Sequence, residues 1–296
     1  MNSGKRATIS VRANVRSFTR EPFTLALLLL IPVVSIQLYG LSVGGIADFG
    51  LFDTDVPLQF IGKITGAVFA TSALAGILGL FQSLSVQTAD SHLVVSGYHR
   101  LELAAARFAT IVVTALIVAI VTTISLEWSI SGHLASRAIT VAGLFIVGVL
   151  YGVLGVLIGS VLPRPLEGSL VLVALADISA IVASRLFPIS DSLTYLFPLS
   201  PPHDVVLQAV VEGSTATTHI LPALSYLLVL PAYLIGAFVF LVPKTNIPVS
   251  VGGTTATVSM PAHATVFETA VSVAILSGIM GLFLVLSSGA ADDRLR

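Results

Sequence analysis

Ala138-Ile-Thr-Val-Ala-Gly-Leu-Phe-Ile-Val-Gly-Val-Leu-Tyr-Gly-Val-Leu-Gly-Val-Leu-Ile-Gly-Ser-Val-Leu162 contains no charged residue. As a helix rising 1.5 Å per residue it reaches about 37 Å, enough to cross a hydrocarbon core roughly 30 Å thick. It must be helical to do so, because no water is there to pair with exposed backbone N–H and C=O groups. Five further segments are also mostly apolar and about long enough to span: Phe23–Ser42, Ile64–Leu84, Phe108–Leu126, Ser169–Phe187 and Leu221–Val242. A seventh, Val266–Ser288, is equally apolar apart from Glu268 near its start.

Composition agrees. The chain of 296 residues is 55% hydrophobic and 10% charged, with mean hydropathy +1.01. A soluble domain carries about 25% charged residues, so too little charge remains here to coat a water-facing surface. The formal net charge of −1 argues against nucleic acid as a partner, which would call for a clustered basic face. The absence of cysteine excludes a disulfide framework, a thiolate nucleophile and cysteine-ligated zinc. His92, His99, His133, His203, His219 and His263 all fall between the apolar runs and none forms an i, i+4 pair, so no metal site is expected. The fold class expected is all-α and polytopic.

The first apolar run follows a polar lead too long for a cleaved signal peptide, and no small-residue cleavage site comes after it. It is read as a retained helix. With the N-terminus cytoplasmic, Lys5, Arg6, Arg12, Arg16, Arg20, Arg100, Arg107, Arg164 and Lys244 lie inside. Lys63, Arg137 and Arg185 lie outside, joined by Arg294 and Arg296 if seven helices cross. The bias places the N-terminus in the cytoplasm, and the expected location is the cell membrane.

Before the first span, Ala7, Val11, Val15 and Phe18 form one apolar helical stripe, with Arg12, Arg16 and Arg20 on an adjoining one. Such a helix lies in the headgroup plane with its arginines against anionic lipid. Pro22 then breaks it and makes an elbow of residues 7–21. The plainer alternative is a positive-inside anchor. Between spans two and three, residues 87–107 form a polar link of helical composition. In it an apolar patch at Leu93, Val94 and Val95 meets a turn at Ser96-Gly97, and Arg100-Leu-Glu-Leu begins a second helix. Short helices of this kind dock into a partner's groove through apolar anchors; on physics alone a solvated loop is the stronger reading. Residues 188–220 form a Pro-rich external link ending in an amphipathic stretch, Asp204–Val211. Residues 243–265 alternate small polar and β-branched residues around Gly252-Gly253, as in a hairpin or irregular linker.

Three of these runs carry a resemblance. Arg16-Ser-Phe-Thr-Arg-Glu-Pro-Phe-Thr-Leu-Ala-Leu-Leu-Leu-Leu-Ile-Pro32 resembles the opening of ABC-2 type permeases, where an elbow ends in a charged residue and proline. Leu93-Val-Val-Ser-Gly-Tyr-His-Arg-Leu-Glu-Leu103 is similar to that family's coupling stretch, matching at Leu93, Ser96, Arg100, Glu102 and Leu103. Gly97 stands where proline is common. Tyr195-Leu-Phe-Pro-Leu-Ser-Pro-Pro202 is similar to the external segment before the family's last span. The pieces cover residues 1–242 in the family's order.

The resemblance implies a transmembrane subunit of an ATP-driven exporter, catalytically inert alone, with an elbow, six spans and a coupling helix. The expected partners are a separate ATP-binding cassette ATPase and a second permease subunit, identical or paralogous. ATP and magnesium would be bound by the ATPase and no cofactor by this chain. The sequence has no G-x-x-x-x-G-K-[ST] phosphate loop, in keeping with a motor supplied in trans. Leu93, Val94 and Leu101 would anchor the ATPase contact, with Ser96, Arg100 and Glu102 beside them. The cargo expected is amphiphilic or hydrophobic, drug- or lipid-like. The segment 266–296, after the linker 243–265, departs from the six-helix core.

Inside the spans, Asp177 is costly to place in hydrocarbon and is by default a functional candidate. Arg185 lies too far along the helix to pair with it directly. The carboxylate reads either as a polar group in a substrate path or proton relay, or as a hydrogen-bond partner of a neighbouring Ser or Thr. Gly148, Gly152, Gly155 and Gly159 give two small-x-x-x-small pairs that let helix backbones approach closely, within the subunit or across a dimer. A rival function is a proton-coupled secondary transporter using Asp177; few intramembrane ionisable groups and no repeat halves support it. An intramembrane enzyme is disfavoured, since the spans hold no histidine and no paired carboxylates.

Overall fold

The computed structural model describes residues 22–47, 57–95, 100–132, 134–162, 164–186, 194, 197–214, 220–226, 244–251 and 254–261. The chain forms two compact units, Met1–Leu227 and Leu228–Arg296.

The first unit is helical: α1 Pro22–Ala47, α2 Leu58–Val95, α3 Arg100–Ser129, α4 Arg137–Val161, α5 Pro165–Ala183 and the shorter α6 Ser200–Val211. Residues 220–226 are helical as well. Among the described residues, five helices, α1 to α5, are long and apolar enough to cross a membrane. The protein is thus multi-pass and membrane-embedded. The expected sixth span, Leu221–Val242, enters the described residues only over its first turns, and Val266–Ser288 lies outside them.

Cross-helix contacts fix the directions. A side chain added at Gly62 would come 2.5 Å from the Tyr39 carbonyl oxygen, and one at Gly66 would come 2.6 Å from that of Ser35, so α1 and α2 run antiparallel. Gly148 faces Ala115 and Gly152 faces Ile111, which makes α3 and α4 antiparallel. Gly168 of α5 meets Leu80 and Gly76 meets Leu172, so α5 also runs against α2. One end of the bundle therefore gathers the C-termini of α1, α3 and α5 with the N-termini of α2 and α4. It is called the distal end. The opposite end carries the α2–α3 connection.

Burial ranks the helices. The apolar windows of α2 and α4 are 78% and 72% buried, against 33% for α1 and for α5. The inner pair meet through glycine: carbonyl oxygens of Gly76 and Gly152 sit where side chains on Gly155 and Gly79 would begin. Gly159 packs on Ser83 and Leu80 in the same seam. All four glycines of the α4 pattern thus face α2 or α3 of their own chain. Lipid is as apolar as a helix surface, so close van der Waals packing of this kind holds spans together. Helix α1 runs on through Pro32 without interruption.

Two helix ends use the left-handed conformation without glycine. At the end of α3, Gly132 N–H donates to the Glu127 carbonyl at 3.0 Å and Ser131 N–H to that of Trp128 at 3.4 Å, with Ser131 at φ 55°. This is a Schellman closure, and the chain turns directly into α4. After α5, Arg185 sits at φ 54°.

Helix α6 begins at Ser200, four residues before the amphipathic stretch read from sequence, and Pro201 and Pro202 lie in its first turn. First-turn N–H groups have no intrahelical partner, so proline there removes no bond. Nor does the helix lie open on a surface: Ser200 to Val206, Ala209 and Val210 are buried. Val205 and Val206 pack on Gly143 of α4, and the Ala209 and Val210 carbonyls each accept an N–H, from Ser136 and Ala135, at 3.2 Å.

In the second unit, β1 Lys244–Val251 and β2 Thr254–Pro261 pair antiparallel from Lys244↔Pro261 to Val251↔Thr254. The linker expected as a hairpin or irregular segment is a hairpin. Its register leaves Gly252-Gly253 between the strands, the residue pair that two-residue turns favour.

Candidate functional site

Two regions hold the residues singled out from sequence. The first is the α2–α3 hairpin. The apolar run of α2 read from sequence ends at Leu84, yet the helix runs on to Val95; α3 starts at Arg100, while its apolar run starts at Phe108. Helical arms of about 16 Å and 12 Å therefore continue past the apolar runs at 1.5 Å per residue. Leu93 and Val94 lie in the last turn of α2. Arg100, Leu101 and Glu102 lie in the first turn of α3, with residues 96–99 between the helices. Ser96 falls outside the described residues. At the base of the arms, Gln82 Nε2 donates to the Arg107 carbonyl at 3.3 Å. The elbow, with Val11, Arg12, Val15, Arg16, Phe18 and Arg20, lies outside the described residues.

The second region is a set of cross-helix polar contacts in the distal half of the bundle. Tyr39 of α1 donates its hydroxyl to Asp177 Oδ1 of α5. The partner is thus a tyrosine, not the Ser or Thr expected, and it reaches from a helix distant in sequence. The Tyr39 ring also lies 5.3 Å from that of Phe69 on α2, tilted by 31°. Tyr39, Phe69 and Asp177 are each half-buried. The second oxygen of Asp177 accepts no hydrogen bond among the described residues, and no cationic side chain there pairs with it.

The nearby cations are engaged elsewhere. Lys63 Nζ donates to the Ser129 carbonyl at 2.8 Å, placing a positive charge at the C-terminus of α3, where the helix dipole is negative. Gln37 Nε2 donates to the Ser129 hydroxyl at 3.0 Å, adding α1 to the same clamp. Arg137 pairs with Glu127 across the α3–α4 turn. Arg185 Nη2 pairs with Asp204 Oδ2 of α6 at 2.9 Å, which agrees with its not reaching Asp177.

Beside that pair, His203 is fully buried and its Nε2 lies 3.2 Å from Thr65 Oγ1 of α2. Its Nδ1 has no partner among the described residues. Burial, and then the Arg185 charge, push the His203 pKa down to about 4, so the ring is neutral near pH 7. Sequence reading treated His203 only as a member of a polar link. The signal available was its position one residue before Asp204 in a stretch of amphipathic spacing.

The distal half therefore offers a carboxylate, a phenol and an aromatic face on neighbouring helices, an arrangement that can hold a cation or a proton. The hairpin end offers two helical arms with an apolar tip sequence. No protein-family model matches this chain, and no curated protein matches it.

Proposed function

We propose that the chain is the transmembrane permease subunit of an ATP-driven exporter of the ABC-2 type, working with a separate ATPase. The observation that carries the reading is that α2 and α3 both continue as helix past their apolar runs, α2 as far as Leu93–Val95 and α3 from Arg100–Leu103, the two ends of the Leu93–Leu103 pattern. A rigid lever needs continuous helix between the place where force arrives and the span that moves. Here α2 supplies it from Val95 to Leu58, through the most buried window of the bundle.

In this reading the N-terminus is cytoplasmic and the hairpin tip meets the ATPase in the cytosol. Leu93, Val94 and Leu101 seat in the partner's groove, and Arg100 and Glu102 form the polar rim. ATP and magnesium bind the partner. Its closure displaces the tip, and α2 and α3 tilt against a second permease subunit. A shift of this kind requires contacts that differ between the two states, and the tip supplies them. The cargo is hydrophobic or amphiphilic. Affinity isolation of the tagged chain from its native membrane in mild detergent tests this. An ATP-binding cassette protein is expected to co-purify and to be lost when Leu93, Val94 and Leu101 are changed to Asp. Its absence from the wild-type isolate, or its retention by the triple variant, contradicts the proposal.

One observation favours a second reading, a proton-coupled transporter: Asp177 is an intramembrane carboxylate with a phenol as its only described partner. ATP-dependent transport that survives Asp177→Asn would eliminate it.

A further inference from the structure

Asp177 places a carboxyl group within a span and has no basic side chain beside it among the described residues. Arg185 is held by Asp204 and Lys63 by the end of α3. A carboxylate in that position is costly unless something positive joins it. The one hydrogen bond it accepts among the described residues, from Tyr39, uses a single oxygen and leaves the other without a partner there. The Tyr39 ring of α1 reaches it through its hydroxyl, and the Phe69 ring of α2 stands 5.3 Å from the Tyr39 ring. Carboxylate and ring faces together form the recognition chemistry of an organic cation, which gains from the ring quadrupoles as well as from the charge.

The surroundings say where such a cation comes from. Helices α1 and α5 are the least buried of the five. On α1, Val34, Leu38 and Leu41 are exposed, and on α5 Val171 and Ile178 are exposed. The polar pair therefore lies within an apolar face that is open sideways, at the depth of the spans. Asp177 stands six residues before the end of α5, about 9 Å inside it at 1.5 Å per residue. A small hydrated ion would have to shed its water to arrive by that route. A cation whose charge is wrapped in apolar arms would not.

We infer that Asp177, Tyr39 and Phe69 form a binding site for a lipophilic organic cation, such as a quaternary ammonium or phosphonium bearing apolar groups. Asp177 supplies the counter-charge, Phe69 and Tyr39 supply the ring faces, and the Tyr39 hydroxyl fixes the carboxylate. The inference rests on the transport reading for its meaning as cargo recognition, but the site itself does not need the ATPase.

The test uses the full chain in lipid nanodiscs without any partner, and radiolabelled tetraphenylphosphonium as probe, with empty nanodiscs subtracted. This probe has a fixed charge and cannot be mistaken for a proton. Saturable binding is expected, with tetraphenylborate, of the same shape and opposite charge, failing to compete. Asp177→Asn keeps an acceptor for Tyr39 and removes only the charge; a loss of tenfold or more in affinity is expected. Phe69→Leu is expected to lose roughly threefold, and Asp177→Glu to retain binding. Each variant is first shown to elute as the wild type does on gel filtration. No saturable binding by the wild type, or equal affinity in Asp177→Asn, overturns the site. Either result leaves the ATPase partnership standing, and loss of that partnership leaves the binding result standing.

Discussion

Gly79 of α2 and Gly152 of α4 meet backbone to backbone, with the Gly152 carbonyl oxygen where a side chain on Gly79 would begin. Reciprocally, the Gly76 carbonyl oxygen fills that place at Gly155. The two most buried spans are thus held at a separation that only hydrogen at Cα allows. A methyl group at either site must push the backbones apart and strip the contacts around them. Gly79→Ala and Gly155→Ala are each expected to destabilise by about 1–3 kcal/mol or more, the range for overpacked interiors. Gly45, which has nothing near its missing side chain, is the control, and Gly45→Ala should be neutral or slightly stabilising. Thermal loss of the monodisperse gel-filtration peak in detergent measures all three.

Tyr39 and Asp177 tie α1 to α5 across α2. Hydrogen bonds between spans average about 0.6 kcal/mol and reach about 1.7 in double-mutant cycles. The cycle Tyr39→Phe, Asp177→Ala and the double variant is expected to give a coupling energy in that range, read from unfolding in mixed detergent. A coupling near zero would mean that the bond contributes nothing to helix association.

Arg185 holds a left-handed conformation at φ 54° while pairing with Asp204. Residues other than glycine sit there at a cost of about 1–2 kcal/mol. Arg185→Ala loses the pair and keeps the strain; Arg185→Gly loses the pair and releases it. The glycine variant should therefore be the more stable of the two by about 1 kcal/mol in the same thermal assay. Equal stability would show that the backbone relaxes once the Asp204 contact is gone.

His203 predicts the response to acid. Its pKa is depressed from 6.5 to about 4 by burial and by Arg185, with Asp204 adjacent on α6 and Thr65 facing it from α2. The state in which α6 is undocked binds the proton more readily than the docked one. The stability from docking is therefore whole above pH 6.5 and is lost as pH falls toward 4, at about 1.4 kcal/mol per pH unit at most. Thermal stability of the wild type should fall between pH 7 and 5, and His203→Gln should flatten that part of the profile.

Much of the bundle was legible because hydrocarbon imposes a simple rule on composition. Phe23–Ser42 and Ala138–Leu162 read as spans, and the structure places α1 and α4 over them. The ends were less legible, since polar residues continue a helix once water replaces lipid. Ile64–Leu84 is apolar, but α2 runs from Leu58 to Val95. Pro201 and Pro202 read as a loop because proline breaks helix interiors, whereas here they begin one. The hairpin around Gly252-Gly253 was visible through its alternation and its turn residues. Asp177 was visible as an anomaly, but its partner was not. Tyr39 lies 138 positions away, and no local pattern encodes a contact across three helices. The same separation hid the place of His203 against Thr65; Arg185 and Asp204 are only 19 positions apart, but they lie on different elements.

The claim that force enters at the α2–α3 tip is tested most directly by a photoreactive amino acid placed at Leu101 in membranes of the native host. Illumination is expected to join the chain to an ATP-binding cassette subunit, with ATP or a non-hydrolysable analogue altering the yield. An adduct with no such subunit, or one formed only by reagents confined to the outer face, would contradict it.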